Sequence, residues 1–291
     1  MMRILIQTIF LAINYMALGI LPAETLRQGA FMVLEKSGDF RVLSPLENTR
    51  ETAVMAGEIR SGMSEISATE DTAGYILASS GLLLFFEGPG RLSFERFDQI
   101  LSQADKVELS NSESRVILEL KDGKLLVDTA QFETKANIVI ESSFGRLTLA
   151  EGSIIVIQIT ENKKRKRYNL EIECNKGKAR FVDREDFPYE LFTGQRLSGY
   201  SKVDSLSLGF SQLSYSAQAL FRRHEAKLYA LALTDLDLSR FKPHMPLLEN
   251  PDVDSSSFEK TALSNLELTR PIFIKLAAPA APTLPIRAIK K

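Results

Sequence analysis

From Gly29 to Tyr200 the chain is broken at short intervals by turn-forming tetrads: KSGD (36–39), EGPG (87–90), KDGK (121–124), AEGS (150–153) and NKGK (175–178). Each combines glycine with Ser, Asp, Asn or Pro, the residues that supply left-handed backbone or hydrogen-bond a turn from their own side chains. The runs between them are strand-like. FRVLS (40–44) and VILEL (116–120) are short and apolar, rich in β-branched residues. RYNLEIEC (167–174) alternates with period two, placing Leu170, Ile172 and Cys174 on one face and Asn169, Glu171 and Glu173 on the other. That is the signature of a half-buried strand, with the carboxylates expected on a solvated face. Helix–strand alternation of the doubly wound kind is missing. The expected fold is all-β, a sandwich or roll of many short antiparallel strands, followed by one helix and a flexible tail.

The helix is expected over 212–236, a stretch without Gly or Pro in which Leu213, Ala217, Leu220, His224, Leu228 and Leu231 recur at three and four residues. From 241 to 291 the sequence collects prolines (Pro243, Pro246, Pro251, Pro271, Pro279, Pro282, Pro285) and reads as a linker and tail, with RPIFIKL (270–276) as an apolar island. At the other end, residues 1–23 carry one charge, Arg3, then an uncharged apolar run closed by Leu21-Pro22-Ala23. This is the layout of a secretory signal peptide cut after Ala23, with an uncleaved membrane anchor as the alternative. The chain is expected to be exported, periplasmic or secreted.

Composition excludes several chemistries. Lys plus Arg (36) balances Asp plus Glu (37), which argues against a nucleic-acid binder built on phosphate neutralisation. The single cysteine, Cys174, makes neither an internal disulfide nor a multi-cysteine metal site, and on the face of Leu170 and Ile172 it is expected to be a buried, inert thiol. Of the two histidines, His224 and His244, the first is expected partly buried on the helix surface beside Arg222 and Arg223. Neither lies in the β-domain, where a nucleophile would want a base. Glu171 and Glu173 alternate with apolar residues as any solvated face does, so they make a poor glycosidase pair. DREDF (183–187) is a charged loop without EF-hand spacing. Phosphate-binding glycine loops are absent. No catalytic residue and no cofactor are expected.

One charge feature stands out: Lys163, Lys164, Arg165, Lys166 and Arg167 follow one another between IIVIQI (154–159) and NLEIEC (169–174), so they belong at a hairpin tip. They are the candidate contact for an anionic envelope polymer, an envelope protein or lipid headgroups. The plainer reading is a solvated hairpin end that also blocks edge pairing. AEGS reads as scaffold: Gly152 supplies the turn backbone and Ser153 hydrogen-bonds its neighbouring backbone.

The order of these pieces resembles the FecR-like domain of bacterial envelope proteins. Residues 55–97 are similar to its opening block, with a glycine turn at Gly57, strands at Ile66–Thr69 and Tyr75–Leu77, a Ser80-Gly81 turn and an apolar strand pair over Leu82–Phe97. LELKDGKLLVDT resembles its strand–Gly–strand unit around Gly123. IVIESSFGRLTLAEGSIIVIQI, NLEIECNKGKARFVD with Gly177, and YELFTGQRLSG with its closing Gly194-Gln195 follow in the family's order. The ordered set, covering 29–200, carries the resemblance. The family's central Gly-Thr pair is here Gly152-Ser153, after Glu151. Only Met1, Met2 and Arg3 precede the apolar run, so the cytoplasmic region of the family's transmembrane anti-sigma regulators is not expected. The resemblance implies an interaction module: non-catalytic envelope binding or scaffolding, with a periplasmic sensor passing a signal to a membrane partner as the first alternative and a carbohydrate-binding or carbohydrate-active protein as the second. The lack of Trp counts against the latter's usual stacking platform.

Overall fold

The computed structural model describes residues 24–44, 50–102, 113–131, 136–162, 167–202, 205–232 and 238–248. All belong to one compact unit, Met1–Pro251. The expected signal peptide, the stretch 249–291 and Lys163–Lys166 lie outside the described residues.

Two long strands organise the rest: β8 (Leu83–Ser102) and β9 (Ser114–Asp128), paired antiparallel along most of their length. Each serves two layers. The start of β8 and the end of β9 continue on one side into β7 (Ala73–Ala78), β2 (Ala30–Ser37) and β5 (Ile59–Ser61). On the other side they continue into β12 (Ile154–Asn162), β13 (Arg167–Lys176), β16 (Gln195–Lys202) and β17 (Ser205–Gln212). The opposite halves carry the second layer. There β9 pairs with β10 (Ala136–Ser142), followed by β11 (Gly145–Leu149), β14 (Lys178–Asp183) and β15 (Pro188–Phe192). The far side of β8 is shared by β6 (Glu65–Ala68), which leads to β3 (Phe40–Leu43) and β4 (Thr52–Ala53), and by β1 (Glu24–Gln28). Among these ladders β9–β10 is parallel and the others antiparallel.

The main core draws inward residues from both layers. Leu84, Leu125, Ile157, Leu170, Ile172 and Cys174 meet Val116, Leu118, Ile140, Leu147 and Phe181. The alternation read from the sequence is therefore real, and the all-β sandwich is the fold.

Two of the expected turns are something else. EGPG lies inside β8 and KDGK inside β9, directly across from one another: Glu87 pairs with Lys124 and Arg91 with Asp122, with register shifts between. They form a paired kink through which both strands pass from layer to layer. Gly123 has φ 101° there, and a Cβ on Gly90 would strike the Asp122 carbonyl. Glycine is needed at both positions for bending and close approach, not for reversing the chain.

A second apolar face explains why some strands stop alternating. Leu125–Asp128 and Ile154–Ile157 are buried on successive residues because a helix, α1 (Tyr215–Ala232), covers their outer side. Ala217, Leu220 and Phe221 pack on Leu126, Ile154 and Val156. Leu228 and Leu231 join Tyr75, Leu77 and Leu83. The helix is shorter than expected at its start because β17 runs to Gln212 and Ser214 then caps it, the Ala217 N–H donating to Ser214 Oγ at 3.1 Å. Residues 241–248, expected to open the linker, are folded instead. A 3-10 helix, Leu238–His244, buries Phe241, and Met245 follows it into the same cluster. The next residues run along β1: Gln28 N–H donates to Pro246 O at 3.0 Å and Leu248 N–H to Leu26 O at 3.1 Å. Burying Phe241 and Met245 is worth about 1.5–3 kcal/mol each, enough to hold a proline-containing segment down.

Candidate functional site

The described end of the basic run lies in a cleft. Where the start of β13 and the end of β16 separate from β9, β10 and the loop after β14, they enclose about 580 Å³ lined by Glu119, Lys121, Glu141, Arg167, Tyr168 and Arg184, among others. Leu170 is the first fully buried residue of β13, so Arg167 and Tyr168 precede the core at the rim of the opening, Tyr168 on the face of Leu170 and Arg167 on the other. The Arg167 guanidinium lies 4.6 Å from the Tyr200 ring centroid, a cation–π contact that fixes its plane.

The charges around the cleft are unevenly satisfied. Lys121 is 3.0 Å from Glu65 and 3.6 Å from Glu119, and its pKa is raised chiefly by the Glu65 hydrogen bond. Glu141 is held by Arg146 at 3.0 Å. Arg167 and Arg184 form no ion pair among the described residues. Arg167 and Arg184 line the cleft with the half-exposed Tyr168, and guanidinium forks of this kind can take a carboxylate, sulfate or phosphate. Of the five basic residues singled out in the sequence, Arg167 is placed in this cleft; Lys163, Lys164, Arg165 and Lys166 lie outside the described residues.

Four other residues noted in the sequence are held inside the fold: Cys174, His224, Glu173 and Asp183. Cys174 is fully buried and burial pushes its thiol up to about 11. His224 is not a helix-surface residue: it is fully buried, its Nε2 is 2.9 Å from Asp128 Oδ2, and its ring stacks on Tyr75 at 5.8 Å. Asp128 also accepts from Ala130 N–H at 2.7 Å and Gln131 Nε2 at 3.3 Å. Glu173 likewise leaves the solvated face assigned to it. It is 3% exposed, accepting from Ser214 N–H at 2.7 Å and Ser214 Oγ at 2.6 Å, under the start of α1. Asp183 closes its own loop by accepting from the N–H groups of Glu185 and Phe187, both at 2.9 Å, and from the Tyr189 hydroxyl at 3.3 Å. No cluster of metal-ligating side chains occurs among the described residues. No helix among them is long and apolar enough to cross a membrane.

Sequence reasoning missed Tyr168, Arg184 and Lys121 as cleft residues. The position of Tyr168 beside the basic run was the one local signal; Arg184 and Lys121 arrive from the other layer and leave none.

No family model matches the chain, and no curated protein matches it in sequence. Among solved structures it is similar to a candidate anti-sigma factor from Parabacteroides distasonis ATCC 8503, at 9% identity and a TM-score of 0.38, over 51% of this chain and 59% of that one. A second structure with the same description gives 7% and 0.35 over the same shares. The chain thus spans less than two thirds of those proteins, and a likeness at this level says nothing about activity.

Proposed function

We propose that this chain is a non-catalytic binding module of the bacterial envelope, of the FecR-like kind that its ordered turn blocks resemble, and that it captures an acidic polysaccharide in the cleft below the basic run. The observation that carries this reading is the cleft lined by Arg167 and Arg184, without carboxylate partners among the described residues, and by the half-exposed Tyr168. The forks suit regularly spaced carboxylates, and Tyr168 replaces the absent Trp as a stacking surface.

Calorimetric titration of the full chain with polygalacturonate, with neutral dextran as control, tests it. Binding to the acidic polymer alone is expected, weakening between about 0.01 M and about 1 M salt as the screening length falls from about 30 to about 3 Å. Changing Arg167 and Arg184 together to Ser should weaken binding tenfold or more, about 1.4 kcal/mol. Binding that survives this change but fails when Lys163–Lys166 become Ser moves the contact to the run itself. Equal binding to dextran, or none to either polymer, rejects the acidic-glycan reading.

A further inference from the structure

Among the described residues the outer edge of β17 is undefended. Among the described residues β17 pairs only with β16, and over Ser205–Gln212 it carries no charge and no proline. Other edges are protected by the usual devices. β15 contains Pro188 and Glu190. β4 and β5 are two and three residues long. β1 is bridged by Leu247.

The faces of β17 are settled by packing. Leu208 packs on the main core, so Phe210, two residues on, lies on the same side. There Phe210 meets Tyr189 of β15 at 6.2 Å between ring centroids but remains 53% exposed. Ser207, Gly209 and Ser211 are exposed on the outer face.

We infer that β17 is a dimerisation edge, pairing antiparallel with β17 of a second copy of this chain. The occupant follows from self-complementarity. A twofold axis perpendicular to the sheet keeps both cores on one side, so core-facing residues must oppose core-facing residues. With the axis at Gly209, Phe210 lies opposite Leu208 of the second copy, twice over, covering the ring that the monomer leaves half in water. On the outer face Ser207 meets Ser211 of the second copy, a hydroxyl pair of the kind that stabilises antiparallel ladders. Gly209 faces its own copy, and no like charges oppose one another. The contact is isologous and closes at two copies, so it does not propagate into fibres.

Sedimentation of the full chain from about 1 µM to about 1 mM, affinities typical of weak association, reads the equilibrium. A dimer is expected whose dissociation constant rises at least tenfold in Phe210→Lys, with unchanged circular dichroism because the ring is half exposed. Cross-linking gives an independent reading. A Cβ on Gly209 meets nothing within 4 Å, so Gly209→Cys is tolerated, and mild oxidation should join two chains through it. Ser211→Cys alone should not cross-link, whereas Ser207→Cys with Ser211→Cys should. A chain that stays monomeric throughout, a dimer untouched by Phe210→Lys, or Ser211→Cys cross-linking as readily as Gly209→Cys overturns the proposal.

Discussion

Ser153 shows how one hydroxyl serves two distant turns. Its Oγ donates to Lys178 O at 2.9 Å and accepts from Lys178 N–H at 3.1 Å, while its own N–H donates to Thr129 Oγ1 at 2.8 Å. Gly177 has φ 80°, and a Cβ there would sit 2.5 Å from Ser153 Oγ. The sequence signals a turn at AEGS, and Gly152 with φ 71° makes one. It does not signal that Ser153 bonds 25 residues ahead rather than locally, because partners across layers leave no spacing pattern. Ser153→Ala should cost about 1 kcal/mol by taking the Ser153 acceptor from the half-buried Lys178 N–H, while Lys178 O keeps the Ala150 N–H, seen as a lower denaturant midpoint with unchanged slope. Two other buried groups contribute to a loss of stability at alkaline pH. Burial pushes Cys174 from 9.0 to about 11, and burial followed by Glu35 pushes Tyr75 from 10.0 to about 12. The unfolded chain releases these protons first, so stability is full below pH 9 and falls as pH rises toward 12. Thermal melts across that window should show the fall, and Cys174→Ala should flatten its lower part.

At the scale of the element, α1 was legible in its face and illegible in its fastening. The three-and-four spacing identified Ala217, Leu220, His224, Leu228 and Leu231, all of which pack toward the sheet. What the spacing omits is the polar fastening at each end of that contact: Glu173 beneath the Ser214 cap, and Asp128 against His224. Period two along β13 places Glu173 outward, which is correct; outward there means under the helix. Ser214→Ala should cost about 1 kcal/mol as a lost cap. His224→Ala should cost about 3 kcal/mol, since it empties a fully buried site and leaves Asp128 only the Ala130 N–H and Gln131 Nε2. The check is the denaturant midpoint, together with faster trypsin cleavage at Arg222 and Arg223, exposed residues on a loosened helix.

At the scale of the whole molecule, the sheet content and most turns were readable because each depends on neighbours in sequence. The kink was not, since EGPG and KDGK look like reversals until their pairing across β8 and β9 is seen. The cleft was readable only at Arg167, because its walls come from both layers. Both layers share β8 and β9, so neither has a core without the other. Unfolding should be one transition, with calorimetric and van't Hoff enthalpies equal. Phe241→Ala should lower that single transition by about 3–5 kcal/mol instead of releasing a separate segment.

The kink also has a genetic consequence. Side chains alternate along β8 and β9, so losing one codon within 88–91 or 121–123 would turn one half of a strand inside out while the other half kept its register. Single-codon deletions should therefore be purged from these two glycine stretches, which on composition alone look like the loops where length variation is most easily borne.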